Sequence, residues 1–252
     1  MTNVLVCIKR VPDVSGEVLL SEDGKSVDAR HVGFTVSPHE ECAVELATQV
    51  AESSGGTATV LTLGPADAVE QLRSALAVGC SAGILIEADS DSYGPVDVAN
   101  AIADVARDRD FDLILLGNDA ADTGDFQVPV RLGYALDRPV VTGVSLVSLD
   151  GGTVVARADG PDGVDIFEVP VPAVVAVMEG GVTPRYPSVV GRMKAKKAPV
   201  ETIAPAREPR GSGRVRLTLP PKRPSTVEIL GRGPDAAPAV VDKLVEIGVV
   251  AL

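Results

Sequence analysis

The residues best suited to ligand chemistry in this 252-residue chain form one run, Gly117-Asn118-Asp119-Ala120-Ala121-Asp122-Thr123-Gly124-Asp125-Phe126-Gln127-Val128. It leaves the carboxyl end of a buried apolar stretch and enters a helical pattern. In open α/β sheets ligands sit outside such strand ends, and a helix N-terminus offers free N–H groups to a phosphate. Ala120, Ala121 and Gly124 are small enough for a ligand to approach the backbone. Asp119, Asp122 and Asp125 oppose an anion unless they turn away. The residues alone therefore support a nucleotide loop and a solvated acidic turn about equally.

A second stretch, Pro-Arg-Tyr-Pro-Ser-Val-Val-Gly-Arg-Met-Lys-Ala-Lys-Lys at residues 184–197, gathers cations on a chain of net charge -12. Pro184 and Pro187 stiffen it and bias their neighbours away from helix. Arg185 and Tyr186 offer contacts, while Val189, Val190 and Met193 put apolar side chains on a segment that a globular core does not need. The combination suits an element that reads a partner. A solvated basic loop and a nuclear-localisation or nucleic-acid patch are the other readings of its lysine run.

Most catalytic signatures are absent. The first strand exits through Lys9-Arg10-Val11-Pro12-Asp13 without a GxGxxG, and no Walker sequence occurs. Ser54-Gly55-Gly56 precedes a strand and reads as an ordinary turn. His31 and His39 are the only histidines, and neither lies in a nucleophile elbow. Cys7, Cys42 and Cys80 are odd in number and scattered, which argues against disulfide, zinc and iron–sulfur frameworks. The expectation is a chain without catalytic residues of its own. An acidic surface, 3% aromatics and no tryptophan argue against nucleic acid as a partner. No signal-type start or membrane-length apolar run is present, so a reduced, cytoplasmic protein without membrane insertion is expected.

The elements that must position these residues alternate along the chain. Apolar strands are expected at residues 4–8, 57–63, 83–87 and 113–116, and helices at 66–78 and 95–107. Another helix starts at Ser37-Pro38, with Ser37 as N-cap and an apolar stripe through Cys42/Ala43, Leu46/Ala47 and Val50/Ala51. Glu40, Glu41 and Glu45 are expected off that stripe. The pattern predicts a mostly parallel, doubly wound sheet with helices on both faces. After a helix at 126–136, strands at 144–149, 153–158 and 164–169 form an antiparallel extension, and 173–177 re-enters the core. Residues 204–225, rich in Pro, Arg and Gly, read as an extended arm, and 240–247 as a short closing helix.

Five ordered segments of the chain resemble the electron transfer flavoprotein small (beta) subunit. They are Lys9 through Asp13, Ser37-Pro38 through Glu45, Gly64-Pro65, Arg73-x-Ala75-Leu76-Ala77-x-Gly79, and residues 184–197. Gly117, Ala120, Asp122 and Gln127 match the family's Gly-x-x-Ala-x-Asp loop running to a Gln. The resemblance implies a Rossmann-like, adenine-nucleotide-binding sheet in which that loop, with Thr123, Phe126 and Val128, wraps the phosphate of a structural AMP. It places Cys7, Ser37, Pro38, His39, Glu40 and Leu63 on the adenine side. It implies an α/β domain over residues 1–200, and over 201–252 an arm and helix that contact the partner subunit.

The same resemblance implies an electron carrier. The large (alpha) subunit holds most of the FAD, and this subunit covers one side of it. Electrons pass from acyl-CoA-type dehydrogenases, as in fatty acid beta-oxidation, toward a membrane quinone reductase. Docking falls to Arg185, Tyr186, Val189, Met193, Lys194 and Lys197, with Val189 at the position of the family's anchoring leucine. Ser37 stands where Asn is usual, His39 where an aromatic is frequent, Phe126 where a polar residue flanks the phosphate, and Val14 where an aromatic leans on the flavin. Alternatives are an electron-bifurcating subunit with a second FAD in place of AMP, and a universal-stress-like ATP sensor.

Overall fold

A computed structural model describes residues 1–13, 18–221 and 227–250. Val14 and the end of the expected arm, residues 222–225, lie outside the described residues. The chain opens with β1 (Asn3–Cys7), a small hairpin of β2 (Val11–Pro12) and β3 (Phe34–Thr35), and α1 (Pro38–Ser54). It continues through β4 (Thr57–Gly64), α2 (Val69–Ala77), β5 (Ala82–Glu87), α3 (Pro95–Arg107), β6 (Leu113–Gly117) and α4 (Val128–Leu136). Then follow β7 (Val140–Val144), β8 (Leu146–Asp150), β9 (Thr153–Gly160), β10 (Gly163–Pro170) and β11 (Ala173–Val177). The remaining elements are α5 (Val189–Lys197), β12 (Val200–Ile203) and α6 (Ala237–Glu246).

Seven strands form one sheet in the order β12-β5-β4-β1-β6-β11-β7, and every neighbouring pair is parallel. The inner strands β1, β6 and β11 are apolar runs because both of their faces are covered. Val4, Val6, Leu113 and Leu115 face one core with α1 and α2, while Leu5, Ile114 and Leu116 face the other with Ile102 of α3 and Leu132 of α4. From β1 the chain winds outward through β4 to β5, then crosses back to β6. Right-handed crossovers put helices on opposite faces when the winding direction reverses, which is why α3 and α4 oppose α1 and α2. The reversal leaves a switch point between β1 and β6, where crevices form at the carboxyl ends of the strands.

The expected strand at 144–149 is in fact two. Val140–Val144 joins the parallel sheet beside β11, and Leu146–Asp150 opens the separate antiparallel sheet β10-β9-β8. Gly143, at φ 72°, and a register shift opposite Val175/Val177 let the chain leave one sheet for the other. Helix α4 starts at Val128 rather than at residue 126, because Phe126 takes a left-handed φ of 55°. Glu40 and Glu45, expected off the apolar stripe, are buried. The sheet also runs beyond residue 200: Val200–Ile203, which straddles the expected start of the arm at residue 201, pairs in parallel with β5.

The chain divides into two compact units, Met1–Leu217 and Thr218–Leu252. In the second, α6 buries none of its residues, and Lys243 pairs with Glu228 and Glu246 at 3.4 and 3.0 Å. Among the described residues no helix is long and apolar enough to cross a membrane, and no group of three or more His, Cys, Asp or Glu could hold a metal ion.

Candidate functional site

A cleft lies at the switch point, above Cys7 of β1, Leu61 and Leu63 of β4 and Leu116 and Gly117 of β6. Its floor is apolar. One wall is the loop from Asn118 to Gln127 with the start of α4, and the other is Tyr93, Gly94, Pro95 and Val98 at the start of α3. Of the residues expected to hold a nucleotide, Cys7, Glu40, Leu63, Gly117, Ala120, Thr123, Phe126, Gln127 and Val128 line this one cleft. Ser37, Pro38, His39 and Asp122 do not line it. Ser37, His39 and Asp122 instead fix the loop from behind.

That fixing is specific. The Ser37 hydroxyl accepts the Ala121 N–H at 3.0 Å, and His39 Nδ1 lies 2.6 Å from Asp119 Oδ1. Lys9 Nζ donates to Asp122 Oδ1 at 2.7 Å and sits 3.5 Å from Thr123 Oγ1. Asn118 Oδ1 accepts the Gly143 N–H at 2.9 Å. Of the three aspartates that oppose an anion, Asp122 is thereby paired with a lysine and Asp119 lies against the His39 ring. Gln127 is partly committed: its amide oxygen accepts from Arg131 at 2.7 and 3.0 Å, leaving the amide NH₂ for other partners. Pro129 in the first turn has no N–H, so the Val128 and Val130 amides are the donors α4 can present there.

Gly117 explains why α1 comes so close to β6. A Cβ on Gly117 would lie 2.6 Å from Glu40 Cγ and 3.1 Å from the Glu40 nitrogen. The buried Glu40 carboxylate reaches back to the Ser37 N–H at 3.0 Å, satisfying an otherwise orphaned donor of the helix start. Burial pushes its pKa from 4.5 up to about 8, against the opposing pull of hydrogen bonds from Ser37 and of the nearby Lys9 charge. Burial, with Glu40 adding to it, also pushes the Cys7 thiol far above its ordinary value. Cys7 is a packed thiol held in its protonated form.

The 184–197 segment is a loop only in its first half. Val189–Lys197 is helical, because Ser188 caps it by accepting the Gly191 N–H at 2.9 Å and Lys194, Lys196 and Lys197 complement the dipole of its last turn. Tyr186, Val189, Val190 and Met193 are exposed as expected. Arg185 is not a free cation. Its guanidinium and backbone N–H donate to Glu45 at 2.9–3.0 Å and its Nη atoms to Glu52 at 2.8 and 3.2 Å. Burial raises the Glu45 pKa, but the Arg185 and Gln49 hydrogen bonds outweigh it and hold the carboxyl below its ordinary value. Glu45 and Glu52 lie two turns apart on one helix face, a spacing that marks a site for a long cation. At the other end of α5, Arg73 Nη1 donates to the Ala195 carbonyl and, at 2.7 Å, to the Ala198 carbonyl.

Sequence reasoning misses Tyr93, Gly94 and Pro95 as site residues, although Pro95 is visible as a helix start. It also misses Ser212 and Arg214, which line the cleft from the Pro- and Gly-rich stretch. Lys9 enters through the resemblance without a role, and its position beside Asp122 gives it one.

Fold and cleft together define a doubly wound α/β protein with a crevice at its switch point. A family model described as "Electron transfer flavoprotein domain" matches residues 26–208. The beta subunit of electron transfer flavoprotein from Bacillus subtilis is 36% identical over 203 residues, 80% of this chain and 78% of the relative. That from Syntrophomonas wolfei is 34% identical over 229 residues, covering 90% and 89%, and the human one is 32% identical over 258 aligned positions, covering 97% of each. The chain belongs to the family of electron transfer flavoprotein beta subunits.

The folded state retains a proton on Glu40 that the unfolded chain releases above its ordinary value of 4.5, so stability should fall as pH rises from about 4.5 through about 8. Thermal unfolding midpoints across that window should decline in the wild type and decline less in Glu40→Gln; identical slopes would show that Glu40 titrates normally. Replacing Arg185 by Ala leaves the buried Glu45 carboxylate short of its charged donor and should cost about 2 kcal/mol, with faster amide exchange in α5. Urea unfolding and hydrogen exchange of residues 188–198 measure both.

Proposed function

We propose that this chain is the small subunit of a heterodimeric electron transfer flavoprotein, with a structural AMP in the switch-point cleft. The observation that supports it most is the clamped loop: an apolar floor and a row of small residues, with two carboxylates turned onto Lys9 and His39 and backbone amides left at the start of α4. This donor set fits an adenine ring over Leu63 and Leu116 and a phosphate at the helix start. A bound nucleotide stabilises the folded chain by mass action.

FAD, the redox group, is proposed to be held mainly by the large subunit. Val14, the one residue that the resemblance sets at the flavin rim, lies outside the described residues. The proposed donors are acyl-CoA-type dehydrogenases and the acceptor a membrane quinone reductase. The exposed Tyr186, Val189, Val190 and Met193 suit an apolar anchor for such a partner, and Lys194 and Lys197 suit steering toward an acidic surface. Arg185 shapes the segment from inside rather than steering. Residues 218–252 are proposed to contact the large subunit.

The assembly is tested by co-expressing the chain with its large subunit, purifying the complex and identifying the released nucleotides. FAD plus AMP is expected. Two FAD would favour a bifurcating protein, and ATP on a homodimer would favour a sensor. Ala120→Asp, which sets bulk and charge at the phosphate, and Gln127→Ala should each lower retained AMP without changing flavin absorbance. Unaltered AMP content in both would remove this loop from the site.

Docking is tested by Val189→Ala. Losing two methyl groups from an inserted anchor should weaken partner affinity about tenfold, roughly 1–2 kcal/mol. Heterodimer stability and flavin loading should stay normal, since Val189 is exposed. Dehydrogenase-linked reduction kinetics read the effect, and an unchanged Michaelis constant for the carrier would assign docking elsewhere.

A further inference from the structure

Residues 205–217 contain no helix or strand, yet they belong to the compact unit Met1–Leu217. The stretch is pinned at four points. Arg207 Nη2 lies 2.7 Å from Asp104 Oδ1, and the Gly211 N–H donates to Asp97 Oδ2 at 3.0 Å. Arg214 Nη1 donates to the Lys25 carbonyl at 3.0 Å, and the Leu217 N–H to the Gly24 carbonyl at 2.7 Å. Asp97 is the central pin. It is buried, and the same Oδ2 also takes the Gly94 N–H at 3.2 Å, joining the strap to the start of α3. A Cβ on Gly94 would lie 2.6 Å from the Gly211 oxygen, so the two backbones meet at a distance that only glycine permits. Beyond this contact, Ser212 and Arg214 line the cleft.

Charge decides what Arg214 does there. The body carries a net charge of -12, and Lys9, Glu40, Asp119, Asp125 and Arg214 all line the cleft. Lys9 is engaged by Asp122, and Asp119 faces His39. Arg214 bonds a backbone carbonyl, and among the described residues no carboxylate pairs with it. Four of its five N–H donors remain for a ligand, in the planar fork that matches phosphate. The start of α4 supplies amides but no full positive charge. We infer that Arg214, carried across the cleft by the Asp97-pinned strap, binds the phosphate of the nucleotide and supplies its counter-charge. This rests on the reading of the cleft as a nucleotide site.

The experiment uses the purified heterodimer, stripped of nucleotide with its FAD retained, and titrates AMP and adenosine in parallel by calorimetry. For Arg214→Ala, AMP affinity should fall about tenfold or more while adenosine affinity changes less than about twofold, since a charge-assisted bond to phosphate is lost and the ring contacts are kept. Arg214→Lys should recover part of the loss. Asp97→Ala should lower AMP affinity by a similar factor, and the double variant should lose no more than Arg214→Ala alone, because both act through one contact. An AMP-to-adenosine ratio unchanged in Arg214→Ala, with the wild type binding AMP, overturns the role of Arg214 and leaves the nucleotide site standing. A wild type that binds neither compound overturns both.

Discussion

The contact on which the functional half of this molecule depends is the approach of the first turn of α1 to the end of β6. At Gly117 the strand has no side chain, and the space a Cβ would take holds Glu40 and His39. Bringing α1 in that close puts Ser37 under the Ala121 amide and His39 beside Asp119. The loop after β6 is therefore held by the helix that follows β1. Two strands flanking the switch point thus share one tied set of ends. Preorganisation of this kind reduces the ordering cost that binding would otherwise meet.

Three buried acidic side chains extend the same device across the protein. Glu40 accepts the Ser37 N–H, Glu45 the Arg185 N–H, and Asp97 the N–H groups of Gly94 and Gly211. Each sits on a helix facing the sheet and bonds backbone outside that helix's interior. The segments they fix are those with proposed roles, namely the nucleotide loop, the docking helix and the strap. Buried acids are costly unless matched by donors, and removal of those donors is correspondingly damaging. The acidic composition, which argues against nucleic acid as a partner on electrostatic grounds, includes groups that act as fixed anchors.

The parallel sheet and its two helical layers are legible in the sequence because their signals are local. Continuous apolar runs such as residues 113–116 mark strands covered on both faces, and Ser37-Pro38 marks a helix start by capping chemistry. The loop of the cleft is legible from its place after such a strand. The rest depends on long-range pairing. Val200–Ile203 is only four residues long, with two polar residues between two apolar ones, and follows a lysine run, so nothing local ties it to β5. The strap has few apolar residues, and its central tie is the Gly211 N–H donating to a distant Asp97, which no periodicity reveals. Arg185 reads as a surface cation because its partners lie more than 130 residues earlier. The helix at Val189–Lys197 is masked by the two prolines before it and by Val189, Val190 and Gly191, although residues 192–197 favour helix.

The most direct test of the cleft as a nucleotide site is a crystal structure of the purified heterodimer with no nucleotide added. Density is expected for one adenine nucleotide between the Gly117–Val128 loop and the Tyr93–Pro95 wall, with its phosphate at the start of α4 and the Ser37–Ala121 hydrogen bond intact. A cleft containing only water, or a nucleotide bound elsewhere on this chain, would contradict it.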